Sequence, residues 1–250
     1  MNTNKVNYIQ IYGERNSGTN YLHFLLEHNI KNITVGYKYG WKHGFAKVEE
    51  MKGKVNNQDA IICLFKDPYS WLVSMHGKPH HAPQLLGTTF SEFIRSEWAC
   101  YTGDNYDTRD LVANPVSDET EMLYERDPIT KKRFTNVIKL RSAKIKKVKE
   151  LQKFWPNIIY MRYEDLLQTP RIKVCDIAGE FKMKLNGPVK LSKGYFGKNP
   201  NKKWDRSAYY NEKQYLKHYT QEDLDYVNAN IDWEYENILG YHKIEQLYAV

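Results

Sequence analysis

The 250-residue chain has a formal net charge of +7, is 41% hydrophobic and 14% aromatic, and contains 20 tyrosines. Such a composition excludes a disordered or fibrous chain, and the length allows a substantial buried core. The positive surplus points to an anionic ligand, whether nucleic acid, anionic membrane or a phosphorylated small molecule, without choosing among them.

The first residues, MNTNKVNYIQIYGE, offer neither an apolar core nor a small-residue cleavage site, so no signal peptide is expected. No apolar run approaches the roughly 18 residues of a membrane span, and no membrane partner is expected. Cys63, Cys100 and Cys175 are scattered without CxxC spacing. They read as reduced thiols of a cytoplasmic protein, with neither a disulfide framework nor a zinc site.

A first strand is predicted over residues 8–12 (YIQIY), followed by a helix over 19–28 with Leu22, Leu25 and Leu26 on one face. Further strands are predicted at 33–37 (ITVGY), 60–65 (AIICLF) and 157–161 (NIIYM), each short and rich in β-branched or aromatic residues. A helix over 144–154 carries Ile145, Val148 and Leu151 at helical spacing and stops before Trp155-Pro156. Strands alternating with helices imply an α/β fold, a single P-loop NTPase-like domain over 1–250 with a central parallel sheet flanked by helices. Residues 77–132 mix Gly, Pro, Asn and Asp with one helix over 90–100. They read as an insertion on the acceptor side of the sheet. A second irregular stretch, 191–206, is rich in Lys, Gly and Asn.

The strongest local signal is Gly13-Glu14-Arg15-Asn16-Ser17-Gly18-Thr19-Asn20, set between a strand and a helix. Gly13 and Gly18 fall where the P-loop pattern GxxxxGK[ST] has its glycines, an architecture that turns backbone N–H groups and a helix N-terminus toward an anion. Thr19 and Asn20 stand where that pattern has its Lys and its magnesium-binding hydroxyl. Without that Lys, the loop suits a 5′ group with one phosphate, such as a phosphosulfate, better than a triphosphate held with Mg²⁺.

Residues 13–22 (GERNSGTNYL) resemble the 5′-phosphosulfate loop of sulfotransferases that use 3′-phosphoadenosine 5′-phosphosulfate (PAPS). Residues 61–76 (IICLFKDPYSWLVSMH) are similar to that family's 3′-phosphate strand and helix, with Lys66, Asp67, Pro68 and Ser74 at matching positions. Residues 161–170 (MRYEDLLQTP) resemble its RYEDL turn, and 219–241 its C-terminal DL…LGY signature. The four blocks occur in the family's order. The resemblance implies a sulfotransferase-type fold, PAPS as co-substrate, 3′,5′-adenosine bisphosphate (PAP) as product, no metal, and a glycan or small-molecule acceptor.

Carried over to this sequence, the resemblance assigns 5′-side binding to Gly13, Arg15, Asn16, Ser17, Gly18, Thr19 and Asn20, and the 3′-phosphate to Lys66 and Ser74. Lys66 replaces the family's usual Arg and gives up its bidentate fork. Lys193 and Gly194, in 192–197 (SKGYFG), resemble a later loop closing on the same phosphate, and Tyr21 occupies an adenine-stacking position. His43, between Gly40 and Gly44 and 23 residues before Lys66, is the candidate general base, its flanking glycines suiting a loop close to a ligand. His23, His76, His80 and His81 are rivals, and Glu14 is the carboxylate alternative. The family's leaving-group cation would fall at Asn16, so Arg15 and then Lys42 are the candidates. Arg141-Ser142 is a further candidate for the nucleotide site. Tyr163, Glu164 and Asp165 read as structural.

Two other readings compete. A P-loop kinase or nucleotide hydrolase with a degenerate loop would need the missing Lys and a strand ending in a metal-binding Asp. Nucleic-acid binding would use the basic run 131–153, which holds ten Lys or Arg residues. Only Phe134 and Phe154 interleave it, so it reads as a solvated face, with an acidic glycan as its other use and no nucleic-acid partner.

Overall fold

In the computed structural model, residues 6–101, 121–191 and 207–247 are described. The elements in chain order are β1 (Tyr8–Gly13), α1 (Thr19–Asn29), β2 (Thr34–Gly36), α2 (Val48–Lys52), β3 (Asp59–Phe65), α3 (Pro68–Gly77) and α4 (Phe90–Arg95). Then come α5 (Val137–Leu151), β4 (Ile158–Arg162), α6 (Tyr163–Gln168), α7 (Pro170–Glu180), α8 (Ser207–Asn211), α9 (Gln221–Asn230) and α10 (Trp233–Ile238). By internal packing they fall into two units, one drawn from Met1–Lys66 and Val148–Gln214, the other from Asp67–Lys147 and Tyr215–Val250.

The first unit contains a parallel sheet in the order β2-β1-β3-β4. The fold is α/β with a central parallel sheet and flanking helices, as predicted. β3 is buried at all seven positions, which is why DAIICLF reads as a continuous apolar run. Gly13 pairs with Leu64, and Phe65 with Arg162, so β1, β3 and β4 end at one edge. β2 is shorter than predicted. It is an edge strand, Tyr37 is 53% exposed, and the chain turns there with Gly40 N–H donating to the Tyr37 carbonyl at 3.0 Å.

The second unit is helical around buried aromatics: Tyr69 lies edge-on to Tyr219 at 5.9 Å, and Tyr219 to Phe90 at 4.6 Å. Asp67 caps α3 by accepting from Ser70 N–H at 2.8 Å, with Pro68 in the first turn. α4 ends at Arg95, short of the predicted residue 100, because Trp98 pairs with Phe134 in an antiparallel bridge instead. The helix predicted over 144–154 begins seven residues earlier, at Val137. The missing turns carry Arg141, and Lys144 follows them, charged residues that are nevertheless buried. Arg141 grips Glu236 through two bonds, Nε–Oε1 at 2.5 Å and Nη2–Oε2 at 2.9 Å, and Lys144 pairs with Glu125. Arg141 is therefore structural here, and Ser142 accepts from the Asp232 N–H at 3.2 Å. The basic run is less solvated than its charge implied.

Glu121 ties the same unit together. Hydrogen bonds from Arg126, aided by Arg133 against the opposing effect of burial, hold its carboxyl down to about 2. A depressed folded value stabilises above the unfolded value of about 4.3, and that stability is lost as pH falls toward 2. The urea midpoint gap between the parent and Glu121→Gln should therefore be widest near neutral pH and close as pH drops from about 4 to about 2. A gap independent of pH would show that the Glu121 charge contributes nothing.

Candidate functional site

The loop that follows β1 is shaped by two glycines. A Cβ on Gly13 would lie 2.6 Å from the Leu64 carbonyl oxygen of the neighbouring strand and 2.7 Å from Thr19 Cγ2. The strand backbone cannot yield, so only glycine fits. Gly18 adopts φ 84°, and a Cβ there would meet the Tyr163 ring at 2.5 Å. Asn16 also takes a left-handed conformation, φ 59°, which asparagine tolerates. Ser17 closes the turn, its hydroxyl donating to the Glu14 carbonyl at 2.5 Å. Glu14, Arg15, Ser17 and Thr19 are buried. Gly18 caps α1, whose first turn holds no acidic residue, so nothing there offsets the positive end of the helix dipole.

The chain after β2 is stitched to β1 residue by residue. Tyr39 N–H donates to Gln10 Oε1 at 3.1 Å, and Gln10 Nε2 donates to the Gly40 carbonyl at 3.3 Å. Tyr12 Oη–H donates to the Tyr39 carbonyl at 2.5 Å. Gly13 N–H then donates to the Lys42 carbonyl at 2.9 Å, and His43 Nδ1 sits 2.7 Å from the Gly13 carbonyl. A carbonyl can only accept, so Nδ1 carries a proton, and in the neutral ring Nε2 is the basic nitrogen. Gly40, at φ 112°, is required by conformation. Gly44 is not: its φ is unexceptional and a Cβ would make ordinary contact with Trp41.

Two cations border this loop. The Arg15 guanidinium is buried, 5.0 Å from the Trp41 ring centroid, and the same indole meets the His43 ring edge-on at 5.4 Å. Lys42 reaches Asn20 Oδ1, lies 5.9 Å from the Tyr37 ring centroid, and has its ammonium pKa lowered by burial.

Lys66, buried just past β3, lies over Tyr163 at 5.2 Å and over Tyr210 at 5.1 Å, the two rings meeting edge-on at 5.7 Å. Tyr163, read from the sequence as mainly structural, thus touches both Gly18 and Lys66. Tyr210 has no counterpart among the sequence candidates: it follows the irregular basic stretch, and no motif marks it. Glu164 and Asp165 sit in the first turn of α6, where carboxylates oppose the helix dipole.

Ser74 belongs to the second unit, on α3, where its hydroxyl donates to the Ser70 carbonyl at 3.0 Å. Tyr21 is half-buried on α1, and burial raises its hydroxyl pKa. Lys193 and Gly194 lie outside the described residues. Of the rival histidines, His23 pairs with Glu27 at 2.9 Å, and His76 Nε2 contacts the Thr88 carbonyl at 2.7 Å. His81 Nδ1 is 3.3 Å from the Tyr101 carbonyl. Among the described residues, no group of three or more His, Cys, Asp or Glu could hold a metal ion, and no helix is long and apolar enough to cross a membrane.

No protein-family model matches the chain, and no curated protein matches it in sequence. A solved structure does. The chain is similar to the crystal structure of mouse sulfotransferase SULT7A1 complexed with PAP, at 12% identity and a TM-score of 0.48, over 94% of this chain and 88% of that one.

The glycine geometry makes a graded prediction. Gly18→Ala should lower unfolding free energy by at least about 1–3 kcal/mol, from left-handed strain, with collision against Tyr163 adding to it. Gly44→Ala should stay within about 0.5 kcal/mol of the parent. Urea denaturation monitored by tryptophan fluorescence measures both, and equal effects at the two positions would contradict this geometry.

Proposed function

We propose that this protein is a sulfotransferase that moves a sulfuryl group from PAPS to a hydroxyl or amine of a glycan or small-molecule acceptor, releasing PAP. One observation carries the reading: the 2.7 Å bond that fastens the candidate base, His43, to Gly13, the first residue of the anion loop. It joins a proton acceptor to an anion cradle, as direct transfer between a bound donor and an acceptor requires.

Bound PAPS would supply an activated sulfuryl group on a phosphate leaving group. The loop from Gly13 to Asn20 suits the 5′ side, being a cradle that a Cβ at Gly13 or Gly18 would fill. Lys66 would hold the 3′-phosphate, joined by Lys193 and Gly194. Tyr21 would face the adenine. His43 Nε2 takes the proton of the acceptor O–H or N–H as that atom bonds to sulfur and sulfur parts from its bridging oxygen. Arg15, with Lys42, would stabilise the charge developing on that oxygen. The kinase alternative gains nothing from the geometry: at its Lys and hydroxyl positions stand a buried Thr19 and an Asn20 engaged with Lys42.

PAP should raise the protein's melting temperature, and ATP with Mg²⁺ should not. Lys66→Ala should weaken PAP binding by about ten- to a hundredfold, the loss of one charge-assisted contact. Calorimetry reads this directly, and unchanged affinity would remove Lys66 from the phosphate site.

His43→Ala should lower kcat by about 10²–10⁴-fold while leaving PAP affinity nearly unchanged. The ascending limb of the parent's pH–rate profile should vanish in the variant. A rise confined to the KM for PAPS would instead make His43 a binding residue and turn attention to Glu14.

A further inference from the structure

The reaction just described needs a cation and a base close to the same loop, and the two have a side chain in common. The Arg15 guanidinium, only 3% exposed, lies 5.0 Å from the centroid of the Trp41 ring. A charge so withdrawn from water gains from a π face, which attracts it without neutralising it. His43 meets the same indole edge-to-face, at 5.4 Å and 87°. The backbone around Trp41 is fixed on its C-terminal side: Lys42 O accepts from Gly13 N–H, and Trp41 O accepts from Gly44 N–H at 2.9 Å. One half-exposed ring therefore contacts both groups, and its own place is set by the loop it serves.

We propose that Trp41 is a positioning residue, whose indole holds the Arg15 guanidinium in the anion loop and keeps the His43 ring seated on the Gly13 carbonyl. The proposal rests on the sulfotransferase reading for its catalytic consequence, although the seating of His43 can be tested without turnover. The need for such a residue follows from the chemistry. When His43 accepts a proton it becomes a second cation in contact with the ring that already carries Arg15. An aromatic group suits this place because its π face attracts the guanidinium while the same ring packs against the imidazole. Trp41 itself neither gives nor takes a proton.

The test compares the parent with Trp41→Leu, which removes the aromatic ring, and Trp41→Phe, which keeps one. Trp41→Leu should lower kcat by about 10- to 100-fold, the scale of a misplaced catalytic group, with a smaller loss of PAP affinity. Trp41→Phe should return kcat to within about threefold of the parent. Independently of activity, ¹⁵N spectra of histidine-labelled protein, with the His43 signal identified by its loss in His43→Gln, report which ring nitrogen is protonated. The parent and Trp41→Phe should show the Nδ1–H form, and Trp41→Leu a mixture of the two tautomers. A parental His43 signal in Trp41→Leu would overturn the proposal, as would a loss of PAP affinity as large as the loss of turnover. If the parent itself fails to turn over PAPS, the sulfotransferase reading falls, and the spectra alone decide the role of Trp41.

Discussion

Gly13 is the position on which the candidate site depends. Its neighbour across the sheet is the backbone of Leu64, close enough that a methyl group would overlap the carbonyl oxygen. That closeness keeps β1 in register with β3 up to the point where the chain turns into the loop. The absent side chain has a second consequence. Both polar groups of the Gly13 residue face the segment after β2, the N–H meeting Lys42 O and the carbonyl meeting His43 Nδ1. Strand pairing, the start of the anion loop and the orientation of the candidate base are thus settled at one residue.

A second constraint concerns how buried cations are held. In the second unit, Arg141 and Lys144 are closed onto Glu236 and Glu125. Such pairs offset desolvation by neutralising the charge, and an arginine gripped by two carboxylate bonds has little left for a phosphate. In the first unit, Lys66 lies between tyrosine rings and Arg15 against Trp41. A π face contributes roughly 0.5–2 kcal/mol at each such contact. The two-bond grip of Glu236 commits Arg141, a candidate from its place in the chain, to the fold of the second unit.

Much of this is legible in the sequence, and what is not has physical causes. β1 and β3 stand out because the middle of a parallel sheet buries both faces and writes itself as short apolar runs. The anion loop stands out because two glycines at fixed spacing between a strand and a helix form a narrow signature. The start of α5 is hidden because a charged residue such as Arg141 reads as surface, and only its partner Glu236, far away in sequence, reverses that reading. The eight-residue step from Lys66 to Ser74 puts the serine on a helix correctly, but cannot reveal that its proton is engaged by Ser70. Tyr163 is visible inside RYEDL, yet its contact with Gly18 depends on the sheet edge that brings β4 level with β3. Tyr210 and Trp41 carry no signal at all, because aromatics in a short helix or a loop look alike until their neighbours are known.

The way His43 is oriented bears on the kind of reaction it could serve. Hydrolytic triads set a carboxylate behind the imidazole, which fixes the tautomer and also places a negative charge beside the proton the ring must hold. Here a backbone carbonyl, which carries no formal charge, fixes the tautomer at Nδ1. A base directed in this way suits a donor that carries a good leaving group. In the proposed sulfuryl transfer the leaving atom is a phosphate oxygen, and Arg15 and Lys42, the cations at the loop, would stabilise charge there. The leaving-group side of that reaction then falls on a loop whose Gly13 and Gly18 admit no side chain and whose arginine is buried.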